Sequence, residues 1–175
     1  ITTFHELGTY NMTIQCSKED YEPKEINITI QIMPKKTILN VLCPQEIEAG
    51  HQLTISINYT DQSGVPITYF NGTIYLNETL LTTFSNTTTV RLNLTQYIGK
   101  YFISITISCP NHETQTWTEA ITIYGKMKIS YQPQILEQYE NETITIYFNI
   151  TDTFRKTPIE NCSITLTINN HTWFI

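Results

Sequence analysis

The chain has 175 residues, 40% of them hydrophobic, which is enough to form one or two domains with buried cores. Only 15% of the residues are charged and the net charge is −6, so the chain has no basic stripe for a nucleic acid. No run approaches the roughly 18 apolar residues of a membrane span, and the first residues do not resemble a signal peptide. Any anchor or export signal is expected outside this segment.

The residues favour an all-β fold, because Ile, Thr, Tyr, Val and Phe are common, Ala is rare and no helix-forming run occurs. In chain order, residues 1–36 supply alternating segments that resemble the last strands of a unit. Residues 37–125 contain seven alternating segments separated by turn residues, near 38–43, 52–60, 71–76, 79–84, 88–95, 100–109 and 115–124. Their predicted inward residues are Leu53, Ile55, Ile57, Tyr59, Ile74, Leu76, Leu92, Leu94, Tyr101, Ile103, Ile105, Ile107, Ile121 and Ile123.

Internal repetition sets the domain organisation. LTISINYTD (53–61) recurs as ITIYFNITD (144–152), and LGTYNMTI (7–14) is echoed by IGKYFISI (98–105), each about 91 positions later. Shorter matches join VPI to TPI and GTIYL (72–76) to CSITL (162–166). This pattern predicts tandem immunoglobulin-like β-sandwiches of about 91 residues per repeat.

The repeat predicts three parts. Residues 1–36 form the C-terminal half of an immunoglobulin-like domain, 37–125 a complete one, and 126–175 the N-terminal half of another. Half a sandwich leaves an apolar face uncovered, so we expect flanking chain or a neighbouring subunit to complete each half. The linker near Lys126 is very short, which predicts restricted bending between neighbouring domains.

Acceptor motifs for N-glycosylation predict the compartment. Of the 14 asparagines, 11 stand in Asn-x-Thr/Ser, whereas chance would place about three there. Where the alternation is clear, as at Asn58 between Ile57 and Tyr59, the asparagine points away from the core. We therefore predict an exported glycoprotein. The predicted sites are Asn11, Asn27, Asn58, Asn71, Asn77, Asn86, Asn93, Asn141, Asn149, Asn161 and Asn170.

Two motifs carry a family resemblance. Gly99-Lys100-Tyr101, matched by Gly8-Thr9-Tyr10, resembles the tyrosine corner of immunoglobulin-like domains. The Asp61…Gly64-x-Pro66-Ile67 segment is similar to that of archaeal and bacterial immunoglobulin-like repeats in adhesins, invasin-like proteins and extracellular filament proteins. Ile103 stands where an antibody domain has the cysteine of strand F, and strand C lacks the core tryptophan. A vertebrate immune receptor is therefore not expected.

Four cysteines allow three pairings, and an exported β-protein favours oxidation. Cys43 and Cys109 have no counterparts in the other repeats, so we predict that they pair within the middle domain. Cys16 and Cys162 end and begin strands that adjoin in this fold, which predicts a bond between subunits if a neighbouring copy completes the sandwich.

Other candidate sites are weaker. The four histidines His5, His51, His112 and His171 lack partners at metal-ligand spacing. Asp61 and Asp152 recur beside a turn, where a turn cap is favoured over a calcium site. Trp117, Tyr69 and Trp173 are candidates for a sugar-binding platform, although packing is the simpler interpretation.

These observations predict a structural component of an extracellular N-glycosylated filament or cell-surface array, built from head-to-tail domains. The alternative is an adhesin stalk or receptor ectodomain that binds another surface. Neither requires catalysis or a cofactor other than covalent glycans, and the expected partner is the protein itself. No enzyme motif stands out.

Overall fold

The computed structural model describes residues 6–132, 145–168 and 171–174, which form strands and turns without a helix. The strands are β1 (Gly8–Cys16), β2 (Lys24–Ile32), β3 (Thr37–Leu42), β4 (Glu46–Glu48), β5 (Gln52–Asp61), β6 (Asn71–Leu76), β7 (Thr79–Ser85), β8 (Thr89–Asn93), β9 (Gly99–Ser108), β10 (Gln115–Tyr124), β11 (Met127–Gln132), β12 (Tyr147–Asp152), β13 (Thr165–Ile168) and β14 (His171–Phe174).

Strands β3 to β10 form two sheets. The first has the order β3-β5-β8, and the second has the order β4-β10-β9-β6-β7. Strand β4 pairs in parallel with β10, with Ile47 opposite Ile123. This order corresponds to strands A-B-E facing A′-G-F-C-C′ of an immunoglobulin-like sandwich. The predicted all-β, immunoglobulin-like class is confirmed, and β4 is a strand that the sequence patterns did not predict.

Side chains alternate between core and solvent along the sandwich strands. Of the 14 predicted inward residues, 13 are at most 8% exposed, and Tyr101 is half-buried. Ala49, Phe70 and Val90 complete the buried apolar set. The Phe70 ring forms T-shaped contacts with Tyr59 and Phe84, with ring centroids 5.5 and 6.4 Å apart. Because aromatic and β-branched side chains fill this interior, hydrophobic burial accounts for most of its stability.

The chain divides into two compact units: residues 1–43, 54–91 and 102–120 form the first, and residues 44–53, 92–101 and 121–175 the second. In the first, the segment that enters β3 is tied to the β9–β10 turn. The N–H of Lys35 donates to the carbonyl of Asn111, and the N–H of Glu113 donates to that of Lys35, both at 2.9 Å. The Tyr59 hydroxyl also donates to the Glu113 carbonyl at 3.2 Å.

In the second unit, the turn after β12 packs on the loops that follow β4 and β8. The Phe154 ring lies so close to Gly50 that a Cβ there would overlap it. The Arg155 guanidinium donates to the carbonyl of Gln96 at 3.0 Å. The N–H of Thr153 donates to the carbonyl of Lys126 at 2.7 Å. Phe154 and Arg155 thus hold this turn against the two loops.

Three further strand pairs lie outside the two sheets. Strands β1 and β2 are antiparallel from Gly8 opposite Ile32 to Cys16 opposite Lys24. Strand β11 pairs with β12, and β13 pairs with β14. Strands β1 and β2 begin 91 positions before β9 and β10, their counterparts in the middle sandwich.

Candidate functional site: exposed acceptor asparagines and uncovered strand pairs

The acceptor asparagines share one property in the structure. All nine that it describes are exposed: Asn11, Asn27, Asn58, Asn71, Asn77, Asn86, Asn93, Asn149 and Asn161. Asn141 and Asn170 lie outside the described residues. On β5, Asn58 is exposed although its neighbours Ile57 and Tyr59 are each only 3% exposed. Each of the nine can therefore carry a bulky glycan without disturbing the core.

On the β1–β2 pair, two acceptor asparagines occupy one polar face. Asn11 lies opposite Thr29, and Asn27 lies opposite Thr13. Each threonine hydroxyl donates to the side-chain carbonyl of the asparagine opposite, at 3.1 Å for Thr29 and 2.6 Å for Thr13. The amide nitrogen is the atom that a glycan modifies, and these bonds use the oxygen. The hydrogen bonds therefore remain possible after glycosylation.

Two acceptor asparagines also shape turns. Asn77 and Asn86 have positive φ angles of 50° and 53°, which asparagine adopts more readily than most residues. The N–H of Phe102 donates to Oδ1 of Asn77 at 2.9 Å, and the N–H of Asn77 donates to the carbonyl of Phe102. Asn86 exchanges the same two bonds with Phe70, also through Oδ1. These residues thus have a backbone role that the sequence motif alone did not reveal.

The two predicted tyrosine corners have the expected hydrogen bonds. The Tyr101 hydroxyl donates to the carbonyl of Ile98 at 3.2 Å, and the Tyr10 hydroxyl donates to that of Glu6 at 3.0 Å. Each tyrosine thus clips the start of its strand to the preceding turn. Tyr101 is half-buried, and its hydroxyl reaches this turn.

Asp61 and Asp152 cap equivalent turns. Oδ1 of Asp61 accepts from the N–H groups of Ser63 and Val65, each at 2.9 Å. Oδ1 of Asp152 accepts from those of Phe154 and Arg155, at 2.8 and 2.6 Å. The hydrogen bond from Arg155 is the main reason that the pKa of Asp152 is lowered, although burial opposes the shift. Turn capping, the interpretation that the sequence favoured, is what the geometry shows.

No group of three or more His, Cys, Asp or Glu side chains lies close enough to hold a metal in the described part of the chain. His51 lies 3.9 Å from a Glu48 carboxylate oxygen, and His112 Nδ1 lies 2.8 Å from the carbonyl of Pro110. His5 and the side chain of His171 are outside the described part. Of the candidate sugar platform, Tyr69 is 65% exposed and Trp117 is half-buried. The Trp173 side chain lies outside the described part of the chain.

The structure does not bring Cys43 and Cys109 together. The Thr37 hydroxyl at the start of β3 donates to the carbonyl of Glu113, beside the turn that contains Cys109. Cys43 follows the other end of β3, about 20 Å away at roughly 3.3 Å per strand residue. A disulfide requires Cα atoms within about 7 Å. The predicted intradomain pair therefore does not fit this register.

The structure gives all four cysteines as thiols. Burial, with a smaller contribution from the Glu119 carboxylate, raises the pKa of Cys43 to about 11. Burial also raises the pKa of Cys109. Cys16 is exposed at the end of β1, and Cys162 is half-buried before β13. The predicted bond between Cys16 and Cys162 of different subunits stays a prediction.

Two strand pairs expose apolar faces. On β1–β2, Met12 lies opposite Ile28 and Ile14 lies opposite Ile26. These four side chains are 38–60% exposed. On β11–β12, Ile129 lies opposite Ile150, and Met127 and Ile129 are each 61% exposed. Contiguous apolar surface of this kind marks interaction sites.

No known family profile and no curated protein matches the chain. Among solved structures, 22 chains match. One is the crystal structure of a CARDB domain from Pyrococcus furiosus in complex with di-metal ions. That match covers 54% of this chain and 98% of the other, with 15% identity and a TM-score of 0.40. The described residues contain no helix long and apolar enough to cross a membrane.

Proposed function

We propose that this chain is part of an extracellular, N-glycosylated scaffold, a filament or cell-surface array built from head-to-tail immunoglobulin-like domains. It acts mechanically and does not catalyse a reaction. The observation that carries the proposal is the exposure of all nine described acceptor asparagines. Exposure makes each site accessible, and the motif count supplies the rest of the argument, since 11 of the 14 asparagines stand in the motif where chance would place about three.

The positions of the acceptor sites suit a scaffold. Strand β7 is one of the two edge strands of the five-stranded sheet, and edge strands invite pairing with other chains. Asn77 and Asn86 flank this strand, and Asn71 lies opposite Ser85 at its end. Glycans at these three sites would shield the edge from unwanted pairing and from proteases.

The contacts of the turn after β12 also suit a mechanical role. Phe154 against Gly50 and Arg155 against the Gln96 carbonyl hold this turn to the end of the middle sandwich. A linker that is both short and braced resists bending. Sandwich domains joined by such linkers, repeated about every 91 residues, would form a stiff rod.

Mass spectrometry of glycopeptides from the native protein tests the proposal. We expect glycans at most of the nine exposed acceptor sites. Asn40 and Asn111 are matched controls, because both are exposed but neither stands in the acceptor motif. A protein without glycans at the acceptor sites would refute the proposal. Electron microscopy of native material then separates a periodic filament or array from the isolated short rods of an adhesin stalk.

A further inference from the structure

The exposed faces of β1–β2 and β11–β12 belong to opposite halves of one fold. In the middle sandwich, the counterparts of β1 and β2 are β9 and β10, which begin 91 positions later. On those strands, Ile103, Ile105 and Ile107 are 0% exposed, and Ile121 and Ile123 are 1% exposed. Their cover is the sheet formed by β3, β5 and β8. The middle sandwich therefore shows which strands bury a face of this type.

Strands β11 and β12 have the features of β3 and β5. The turn after β5 has a bridge between Thr60 and Pro66, and the turn after β12 has one between Thr151 and Pro158. The N–H of Ile67 donates to the carbonyl of Tyr59, and that of Ile159 donates to the carbonyl of Ile150, both at 2.9 Å. Strands β11 and β12 therefore match the strands that cover β9 and β10 in the middle sandwich.

We propose that the β11–β12 face of one copy packs on the β1–β2 face of a second copy, which joins copies head to tail. This inference rests on the proposed scaffold function and names its contact surfaces. Met127, Ile129 and Tyr131 of one copy would bury Met12, Ile14, Ile26 and Ile28 of the next. The two faces differ, so the contact is heterologous and repeats without closing.

The acceptor asparagines that the structure describes on these two strand pairs leave both apolar faces free. Asn11 and Asn27 lie on the polar face of β1–β2, opposite in direction to Met12 and Ile14, because successive strand residues alternate. Asn149 lies opposite Ser130, on the face of β11–β12 that does not contain Ile129. Glycans at these sites would therefore block the polar faces and leave the apolar faces able to pack.

Sedimentation of the unglycosylated 175-residue chain tests the contact. We expect wild type to form oligomers whose size grows with concentration. Ile14→Glu removes the β1–β2 face and Ile129→Glu removes the β11–β12 face, so each variant alone should be monomeric. A one-to-one mixture retains one intact face of each kind and should form a dimer that does not grow. Ile26→Glu serves as a second variant of the first face, since Ile26 is 60% exposed.

Thr9→Glu and Lys128→Glu, on the polar faces of the same strand pairs, are controls that should assemble like wild type. Circular dichroism should show an unchanged fold in every variant. The proposal is overturned if wild type stays monomeric at all concentrations, because the two apolar faces would then not bind each other. It is equally overturned if either variant alone still forms dimers, which would indicate like-with-like pairing. A monomeric protein that carries glycans in its native form would leave the proposed scaffold function standing.

Discussion

Replacement of Gly50 by alanine tests whether the Phe154 ring braces the end of the middle sandwich. Gly50 has a φ of +90°, and Gly64 has a φ of +84°. The positive φ costs an alanine about 1 kcal/mol at either position. A Cβ on Gly64 meets nothing within 4 Å, whereas one on Gly50 overlaps the Phe154 ring. Gly64→Ala is therefore a matched control for backbone strain.

The expected difference follows from the burial of Phe154. Its side chain is 38% exposed, so a ring displaced by the new methyl loses part of a burial worth about 1.5–3 kcal/mol in full. We expect Gly64→Ala to lower the free energy of unfolding by about 1 kcal/mol, and Gly50→Ala to lower it by about 2–3 kcal/mol. In a Phe154→Ala background, the cost of Gly50→Ala should fall to that of Gly64→Ala.

Urea unfolding gives these free energies, and the NMR shift of the Gly50 α-protons reports the ring directly. An aromatic ring over a glycine moves these protons upfield, and Phe154→Ala should remove that shift. Equal costs for Gly50→Ala and Gly64→Ala, together with an unchanged shift in Phe154→Ala, would mean that the ring does not lie on Gly50. The brace at this junction would then be absent.

Four further outcomes are expected. The raised pKa of Cys43, about 11, keeps its thiol neutral, so a thiol-alkylating reagent at pH 8 should label exposed Cys16 well before Cys43. The free energy of unfolding should also fall as the pH rises from 9 toward 11, because the unfolded chain loses this proton before the folded chain does. Tyr101→Phe loses the bond to the Ile98 carbonyl and should cost about 1 kcal/mol in thermal unfolding, whereas Tyr69→Phe on the surface should cost nothing measurable. Ile105→Ala should lower the free energy of unfolding in urea by about 2–5 kcal/mol, because Ile105 is fully buried. Ile129→Ala in the monomer should lower it by less than about 0.5 kcal/mol, because Ile129 is exposed. Thr79→Ala and Thr88→Ala, made together in a glycosylating host, should raise light scattering without lowering the melting temperature, because they remove two glycans but keep the turn asparagines.

The sequence predicted the strands of the middle sandwich because their buried residues alternate strictly. Leu53, Ile55, Ile57 and Tyr59 follow one another at every second position, and no helical spacing competes with this pattern. Strand β4 was missed because Glu46–Glu48 is too short to show a period, and it forms only by parallel pairing with β10. Exposure of the acceptor asparagines was predictable for the same reason as burial of their neighbours.

The cysteine pairing could not be predicted, because it depends on distance along strands. Cys43 and Cys109 were assigned to each other from their absence in the other repeats. In the folded chain, the turn that contains Cys109 lies near the start of β3, whereas Cys43 follows the end of β3. Register also corrects one repeat match. The β6–β7 pairing ends with Leu76 opposite Thr79, and the β13–β14 pairing ends with Ile168 opposite His171. CSITL therefore begins two residues earlier in its strand pair than GTIYL does in its own.

Asn77 and Asn86 show how one residue type can serve fold and surface together. Both have a positive φ, and both present Oδ1 to a backbone N–H, so the amide nitrogen that a glycan modifies takes no part in these bonds. The turn explains the asparagine, but it does not explain Thr79 or Thr88 two positions later, since neither threonine side chain takes part in those bonds. The threonines are what complete the acceptor motif. Their presence beside both turns, at the two ends of the exposed edge strand β7, therefore favours a glycan shield at this edge over a purely structural origin of the motif.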